Sequence, residues 1–420
     1  MSGPTMEPAG IVEVAALSGF SPATVSRALR GLPGVSASTR QAVQAAASTL
    51  GYFPSPSAAA LTTGRTNAVG VIAPWVSRWF FSAVVEGAQE VLSAQGYDLL
   101  LYPIGAAGGR RVGGLDTRSL NKRVDGLLAL NVPLADKSIV SLRDLRVPVV
   151  TVGTAVEGMS GVLVDNVEVG RQATQHLLDL GHRRIAFFGD DLDLMHGFTA
   201  AVDRHRGYDL TLREAGIEPD PTLVERTGFS MDGGEAALHR MLGRGRKPSD
   251  LPTAVFAVSD EVAMGVLYAA RGHGLKVPRD LSVIGVDGHD FAYLFELTTI
   301  SQPVRDQGRI AARLLLEQIN SSPPRPPSVV SVGSGLIRRG TTGPVRLPSR
   351  SGSGSGSGGK SPKTRPAQVA VPQPEVLPGE HPEAGGAAGG RHGRWAAERD
   401  LDRVRAVSAV PAAAQSGAKD

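Results

Sequence analysis

The sequence predicts a mixed α/β protein with an all-helical head, two doubly wound parallel-sheet subdomains and a disordered C-terminal tail. Three observations predict this order. Helical patterns broken by glycine fill residues 10–52, and short apolar strands alternate with stretches of helical length from residue 67 onward. Residues 345–420 are rich in Ser, Gly, Pro and Ala, so we expect them to be disordered because they bury too little apolar surface to offset chain entropy.

Residues 10–52 are predicted to form three short helices in one small unit. Apolar residues recur at helical spacing until Gly19 breaks the pattern. A second helix opens at Ser21, a favourable N-cap, with Pro22 at the first helical position. A third helix stops at Gly51. A helix, a glycine turn and a second helix form the helix-turn-helix pattern, whose second helix enters the major groove of DNA.

The α/β region spans residues 67–342. Its strands of four to six mostly apolar residues indicate parallel sheets that are covered on both faces. The region is longer than one doubly wound sheet, so we expect two subdomains that share a cleft, roughly 67–165 with 300–325 and 166–299 with 326–342. The predicted strands are Val69–Ala73, Asp98–Tyr102, Gly126–Leu130, Pro148–Val152, Gly161–Val164, Arg184–Phe188, Thr253–Val258 and Leu281–Val286.

Composition and charge narrow the classes of function. The chain has no cysteine, which excludes disulfides and thiolate metal sites. Its formal net charge is +4, and residues 345–420 account for all of it, with eleven Lys and Arg against seven Asp and Glu. Bulk charge is therefore poor evidence for nucleic-acid binding. The sequence shows neither a secretory signal nor an apolar run of membrane-spanning length, so we expect a cytoplasmic protein.

The leading side chains of the second helix are the candidates for DNA contact. Among them, Arg27 can make a bidentate contact with guanine. Pro22 and Ala23 can touch at most a thymine methyl group. Thr24 and Ser26 suit phosphate contacts, which position a protein without specifying sequence. On spacing alone, a generic three-helix domain remains an alternative.

Several runs of residues resemble the LacI/GalR family of repressors. They include Ala-Thr-Val-Ser-Arg at 23–27, Leu-Gly-Tyr-Phe-Pro at 50–54, Leu-Gly-His-Arg-Arg-Ile at 180–185 and Val-Pro-Arg-Asp-Leu-Ser-Val-Ile-Gly-Val-Asp at 277–287. The first run is highly specific for that family, and the similarity covers roughly residues 10–342. It implies periplasmic-binding-protein-like subdomains, a homodimer or tetramer, and a pseudo-palindromic double-stranded DNA operator. The implied function is that of a ligand-responsive transcription regulator, of the repressor type, that senses a sugar or sugar derivative.

Residues 53–66 correspond, by the same resemblance, to a hinge helix and linker. The resemblance implies that Ser55–Leu61 folds on the operator and places Leu61, near Ala58, in the minor groove, where an apolar wedge bends the duplex. A plain linker leucine is the alternative for Leu61. The sequence departs from the family at Gly10, which stands where a Thr usually caps the first helix.

The resemblance also implies an effector cleft, formed where strand ends of the two subdomains converge. Arg204 matches an Arg-x-x-Gly-aromatic motif and offers a rigid fork for hydroxyls or a carboxylate. Asp287 ends a strand and can accept hydrogen bonds from hydroxyls, and Phe229 matches a stacking aromatic. The alternatives are a surface ion pair for Arg204, a helix cap for Asp287 and a core position for Phe229. The other effector-binding candidates are Trp75, Trp79, Phe80, Asn131, Ser259 and Asp260.

Two other classes of function compete with a regulator. A solute-binding protein without a DNA-binding role is the main alternative, and the absence of a signal peptide argues against it. An enzyme is not expected, because no nucleophile, general-base pair or cofactor loop stands out. His182 is expected to be structural, and neither a metal nor a cofactor is expected from the spacing of the candidate ligands.

Overall fold

The structure is a computed structural model, which describes residues 9–53, 64–103, 120, 122–131, 142, 145–189, 199–244, 250–323 and 325–345. All of these residues belong to one compact unit of the chain. They form a three-helix head and two parallel-sheet lobes, as the sequence predicts. The predicted hinge Ser55–Leu61 and residues 346–420 of the predicted tail lie outside the described residues. None of the helices within the described ranges is long and apolar enough to cross a membrane.

The head consists of helices α1 (Ile11–Ser18), α2 (Pro22–Leu29) and α3 (Ala37–Thr49). The Ser21 hydroxyl accepts the Thr24 N–H at 3.2 Å and caps α2, as its position in the sequence predicts. Gly19 ends α1 at φ +75°, a left-handed conformation that favours glycine. At the other end of α1, the Gly10 N–H donates to the Glu13 carboxylate at 2.8 Å, whereas Gly10 has no side chain that could accept a hydrogen bond as the usual Thr would. The fully buried centre of this unit is formed by Val14, Val25 and Val43.

Strands and helices alternate through the α/β region. In chain order its main elements are β1 (Ala68–Ala73), α4 (Trp79–Ala94), β2 (Asp98–Pro103), β3 (Gly126–Leu130), β4 (Val149–Val152), β5 (Ser160–Val164), α5 (Asn166–Asp179), β6 (Ile185–Gly189), α6 (Thr199–Glu214), β7 (Val224–Arg226), α7 (Met231–Gly243), β8 (Ala254–Ala257), α8 (Asp260–Gly272), β9 (Ser282–Asp287), β10 (Thr298–Ser301), α9 (Val304–Asn320), β11 (Val329–Val332) and β12 (Gly335–Ile337). Strands β1, β3 and β4 are buried throughout, because helices or loops cover the apolar side chains on both faces of the sheet.

The two lobes share one strand order. The first lobe has the order β2-β1-β3-β4-β5-β11, and all of its neighbouring strands are parallel. The second lobe has the order β7-β6-β8-β9-β10-β12, in which β12 runs antiparallel to β10 and the other pairs are parallel. The order reverses between β1 and β3 and between β6 and β8. Ligands of such sheets bind outside the carboxyl ends of the strands at that point.

Glycines allow helices to cross closely on these sheets. A Cβ atom on Gly87 of α4 would lie 2.0 Å from the carbonyl oxygen of Arg305 in α9. In the second lobe, a Cβ atom on Gly207 of α6 would lie 2.1 Å from the carbonyl oxygen of Val167 in α5. A side chain at either position would push the two helices apart.

The lobe boundaries differ from the predicted ones in two places. Strand β10 pairs with β9, so residues 300–301 belong to the second lobe and not to the first. Strand β11 pairs with β5, with Val329 opposite Gly161, so residues 326–332 lead into the first lobe and not the second. Both strands have only four residues, and so short an apolar pattern does not indicate which sheet receives it.

His182 ties the end of the described chain to the second lobe. Its Nδ1 lies 2.9 Å from the Thr253 hydroxyl, and its Nε2 lies 3.0 Å from the Gly343 carbonyl oxygen. Burial lowers the pKa of His182, which favours the neutral ring. The Val345 N–H donates to the Leu180 carbonyl, so ordered structure includes the first residue of the predicted tail. The structural role predicted for this histidine is confirmed.

Candidate functional site

Helix α2 presents its leading side chains to solvent. Pro22, Ala23 and Arg27 are exposed, whereas Thr24 and Ser26 are half-buried. The Thr24 hydroxyl lies 3.0 Å from that of Ser21, beside the capped end of the helix. The apolar face of the same helix, with Val25 and Ala28, packs into the head core. Three of the five candidates for DNA contact thus lie on the open face of α2, and the other two are partly covered.

Arg27 differs from the two other arginines of the head. The Arg30 Nε donates to the Ser26 carbonyl oxygen at 3.2 Å. Arg40 donates to the carbonyl oxygens of Ala28 and Leu32, each at 3.2 Å. Within the described residues the Arg27 side chain makes neither a hydrogen bond nor an ion pair, so its five N–H donors are available to a partner. The other two candidates, Ala58 and Leu61, lie outside the described residues and stay predictions.

A cleft opens at the carboxyl ends of the strands of both lobes. Trp75 follows β1, Asn131 follows β3, and Gly153 follows β4. From the second lobe, Ser259 follows β8 and Asp287 ends β9. This is the location that the strand order predicts for a ligand. The other lining residues are Arg78, Phe80, Phe81, Val164, Asn166, Ala200, Arg204, Phe229, Glu261, Gln302 and Gln307.

A buried charged pair forms one wall of the cleft. The Arg204 Nε donates to the Asn166 side-chain oxygen at 3.0 Å, and its Nη1 donates to the Val258 carbonyl oxygen at 2.5 Å. Its Nη2 lies 3.8 Å from the Asp287 carboxylate, too far for a good hydrogen bond. Both side chains are almost fully buried, which rules out the surface ion pair considered for Arg204. Asp287 faces this guanidinium and a glutamine, and it does not cap a helix.

Burial outweighs mutual attraction in this pair. It lowers the pKa of Arg204 and raises the pKa of Asp287 to about 6, although each charge favours ionisation of the other. Buried charges of this kind gain from further hydrogen bonds. The Asp287 Oδ2 has no hydrogen-bond partner among the described residues, so it can accept one from a ligand hydroxyl.

Two buried glutamines connect this pair to the first lobe. The Gln302 side-chain amide donates to the Asp287 Oδ1 at 2.7 Å, and the Gln307 amide donates to the Gln302 side-chain oxygen at 3.1 Å. Gln307 lies on α9 in the first lobe, whereas Asp287 lies in the second. The sequence reasoning missed both glutamines. Their one signal is that Gln302 directly follows the Thr-Thr-Ile-Ser strand, which that reasoning also missed.

Aromatic side chains supply the apolar surface of the cleft. Trp75 and Phe81 have ring centroids 5.9 Å apart, and Phe80 meets Phe81 edge-on at 5.3 Å. Phe229 lines the cleft from the second lobe and also packs half-buried against that lobe's core. Its packing against the core matches one of the two roles considered for it, and the stacking role stays a prediction. Such rings suit the apolar faces of a sugar, while the polar groups suit its hydroxyls.

The backbone adopts uncommon conformations at three cleft residues. Asn131, Phe229 and Asp287 have φ of +43°, +51° and +119°, a region that residues other than glycine rarely occupy. Gly153 leaves the space that the Asn131 side chain fills, because a Cβ atom there would lie 1.8 Å from its oxygen. Strained conformations of this kind concentrate at functional sites.

Two predicted effector contacts do not line the cleft. Asp260 is fully buried, and its carboxylate accepts the His289 N–H at 2.7 Å. Burial raises its pKa well above the usual value, and the charge of Asp287 raises it further. Trp79 turns its indole toward Asp290, to which it donates at 3.0 Å. The other seven candidates, Trp75, Phe80, Asn131, Arg204, Phe229, Ser259 and Asp287, are brought together.

The described residues that line the cleft include equal numbers of basic and acidic side chains. Arg78 and Arg204 carry positive charge, and Glu261 and Asp287 carry negative charge. Burial raises the pKa of Glu261, and the opposing effect of Arg78 is smaller. An uncharged ligand with many hydroxyl groups fits this set better than a phosphate or a carboxylate does, because it leaves no buried charge unbalanced.

Family profiles and curated relatives match most of the chain. The profile of bacterial regulatory proteins of the lacI family matches residues 10–55, and that of the periplasmic binding protein-like domain matches residues 174–342. The HTH-type transcriptional regulator CelR of Thermobifida fusca is 36% identical over 338 residues, which are 77% of this chain and 96% of the relative. The HTH-type transcriptional repressor CytR of Escherichia coli (strain K12) is 34% identical over 343 residues, 79% and 95% of the two chains.

Solved structures are similar over the same range. A CelR–cellobiose complex has 33% sequence identity and a TM-score of 0.58, and the match covers 79% of this chain and 99% of that one. A lac repressor dimer bound to operator and the anti-inducer ONPF has 26% identity and a TM-score of 0.69, with 80% and 100% covered. Each match covers a larger share of the chain than the two lobes alone.

Proposed function

The chain belongs to the LacI family of bacterial regulatory proteins, and from this premise we propose that it is a sugar-responsive repressor that binds its operator as a homodimer. The single observation that carries the proposal is the pairing, in one chain, of a head with a free Arg27 and a cleft with a buried polar pair. A cytoplasmic location and the lack of an enzymatic role belong to the same proposal.

Helix α2 is the element proposed to read DNA. In helix-turn-helix proteins the second helix lies in the major groove with its N-terminal residues at the base edges. Arg27 then contacts a guanine through two donors, and Pro22 and Ala23 contact thymine methyl groups. Thr24 and Ser26 hold phosphates. The hinge residues Ala58 and Leu61 are proposed to enter the minor groove at the centre of the operator.

An exposed apolar surface on the second lobe supports the dimer. Tyr293 and Leu294 are each 62% exposed in the single chain. An apolar surface of this kind is expected to be covered by a partner. We assign a second copy of the chain as that partner, because a dimer places two heads on the two halves of a palindromic operator. Phe291 and Phe295 in the same segment are also exposed.

The effector is proposed to be a neutral saccharide. The balanced charges, the aromatic wall and the free Asp287 Oδ2 support this class, and CelR, a relative, has been solved with cellobiose. The effector would act by binding one arrangement of the two lobes more tightly than the other. Couplings of this kind amount to about 1–3 kcal/mol, and a ligand with equal affinity for both arrangements changes nothing.

A thermal-shift screen of neutral mono- and disaccharides, cellobiose included, tests the effector class. A saccharide at 100 times its Kd raises the free energy of unfolding by about 2.7 kcal/mol. We expect Asp287→Ala and Phe229→Ala to abolish the shift, whereas His239→Ala on α7, outside the cleft, retains it. A shift of equal size in Asp287→Ala would place the saccharide outside the cleft.

Specific DNA binding distinguishes the proposed regulator from a solute-binding protein. A protein of that class binds its saccharide but shows the same weak affinity for every duplex. Under the proposal, wild-type protein prefers the duplex from the region upstream of its own gene over a scrambled duplex of equal length. Arg27→Ala removes this preference and leaves saccharide binding unchanged, because the head takes no part in the cleft.

A further inference from the structure

Trp79 connects the two lobes, although it does not line the cleft. It is the first residue of α4 in the first lobe, and its indole N–H donates to the Asp290 Oδ2 at 3.0 Å. Asp290 lies in the segment that follows β9 in the second lobe. The indole ring also packs against the His289 ring, with centroids 4.7 Å apart and planes 32° apart. One aromatic side chain thus meets two consecutive residues of the opposite lobe.

Arg305 holds the same carboxylate. Its Nη1 donates to the Asp290 Oδ1 at 3.1 Å, and its Nη2 donates to the Oδ2 at 2.8 Å, which is a bidentate arrangement. The third side of the guanidinium, Nε, donates to Glu86 of α4 at 2.7 Å. The contacts with Arg305 and Trp79 lower the pKa of Asp290 to about 2, so the carboxylate is ionised at neutral pH.

Both ends of this contact are fixed within their own lobes. Arg305 lies on α9 where that helix meets α4. Its backbone packs so closely on Gly87 that a side chain at position 87 would collide with it. On the other side, the N–H of His289 donates to the buried Asp260 at 2.7 Å. A change in the angle between the lobes must therefore strain or break the Asp290 contacts.

We propose that Trp79, Asp290 and Arg305 form an interlobe clasp that sets the arrangement of the two lobes before any effector binds. Trp79 is then a positioning residue. Its neighbours Arg78 and Phe80 both line the cleft, so the clasp holds them toward the second lobe. The clasp stands on its own contacts, and its consequence for operator affinity rests on the proposed function.

The expected effect follows from exposure. The side chains of Arg305 and Asp290 are 35% and 48% exposed, so solvent weakens the ion pair. A bidentate geometry and an added indole donor place the contact at the upper end of the surface range, equivalent to about a three- to tenfold change in an equilibrium constant. Disruption should change the operator affinity of the effector-free protein by that factor.

The chain offers a matched control for the clasp. Arg309 and Glu90 form a bidentate pair between the same two helices, with distances of 2.7 and 3.1 Å and similar exposure. This pair lies one turn further along and joins only elements of the first lobe. Glu90→Ala therefore removes an equivalent ion pair without touching the contact between lobes.

The structural arm uses the full-length protein with ¹⁵N-labelled tryptophan. The chain has three tryptophans, so the spectrum contains three indole signals, and Trp79→Phe identifies one of them. We expect Asp290→Ala to shift that signal upfield, because its N–H loses a carboxylate acceptor, and Glu90→Ala to leave it in place. The clasp is refuted if the Trp79 indole signal is unchanged in Asp290→Ala, or if it shifts equally in Glu90→Ala.

The functional arm measures operator affinity without effector. Asp290→Ala and Trp79→Phe should change it in the same direction by about three- to tenfold, and Glu90→Ala by less than about twofold. Opposite directions, or no change in the first two variants, would refute the regulatory role. If wild-type protein binds no operator specifically, the proposed function fails, while the indole signals still decide whether the clasp exists.

Discussion

Replacing Arg27 by Ala tests how the head reads DNA. The Arg27 side chain is exposed and makes no hydrogen bond or ion pair within the described residues, so the substitution removes no polar contact of the head itself. Thermal stability should change by less than about 0.5 kcal/mol, as for other surface positions. Any larger loss in DNA binding then comes from the interface.

The size of that loss follows from the geometry of a dimer. One bidentate contact to guanine contributes about 1–3 kcal/mol of discrimination. A symmetric dimer has two such contacts, so Arg27→Ala should weaken operator binding by about 2–6 kcal/mol, at least roughly 30-fold. Binding to a scrambled duplex should weaken far less, because that binding depends on phosphate contacts.

Fluorescence anisotropy with labelled duplexes at one fixed salt concentration measures both affinities. Guanines of each half-site are then replaced one at a time, and one replacement should weaken wild type but not Arg27→Ala. Arg40→Ala is the control for head stability, because it removes two hydrogen bonds to the carbonyl oxygens of Ala28 and Leu32. An equal loss on operator and scrambled DNA would show that Arg27 acts only through its charge and would refute the groove-reading role.

Three further predictions concern the two lobes. The pKa of Asp287 is raised to about 6, so the contribution of this group to stability should be largest below its unfolded pKa near 3.8 and be lost as the pH rises through about 6. Denaturation curves should show a loss of at most about 3 kcal/mol relative to Asp287→Asn, and parallel profiles would contradict the shift. Gly207→Ala should lower the free energy of unfolding by about 1–3 kcal/mol, because its Cβ atom would collide with the backbone of α5. Gly272→Ala should not, because a Cβ atom there faces open space. Equal melting temperatures for the two variants would refute the close helix crossing. Tyr293→Asp should convert the dimer to monomer in sedimentation experiments, and an unchanged dimer would exclude this surface.

The sequence predicts the head and the central strands well. In the head, turn glycines and N-cap serines act through local contacts, such as that between Ser21 and Thr24, which depend on neighbouring residues alone. The eight predicted strands are all present within one or two residues at each end. Most of these strands are apolar because both faces of each sheet are covered, and that pattern is visible without the fold.

The strands that the sequence does not predict are stabilised by pairing with strands distant in the sequence. Strand β7 has only three residues. Strand β10 reads Thr-Thr-Ile-Ser, and its two threonines are buried and form hydrogen bonds with residues distant in the sequence. The Thr298 N–H, for example, donates to the Thr341 hydroxyl at 2.9 Å. The same limit explains the misassigned β11, because its partner β5 lies more than a hundred residues earlier in the chain.

The residues of the cleft could likewise be predicted only in part. Seven of the nine effector candidates line it, since strand ends can be located from the sequence. Asp260 and Trp79 also follow strand ends, but the fold turns one into the core and the other toward Asp290. Gln302 and Gln307 enter the site through the exchange of chain between lobes near β10, which no local pattern reveals.

Operator affinity with and without a bound saccharide tests the central claim, that occupation of the cleft changes DNA binding by the head. The saccharide is the one that stabilises wild type and fails to stabilise Asp287→Ala. The account predicts that saturation with it changes the anisotropy-derived operator Kd by about 5- to 150-fold. Specific operator binding that the saccharide leaves unchanged would contradict the account.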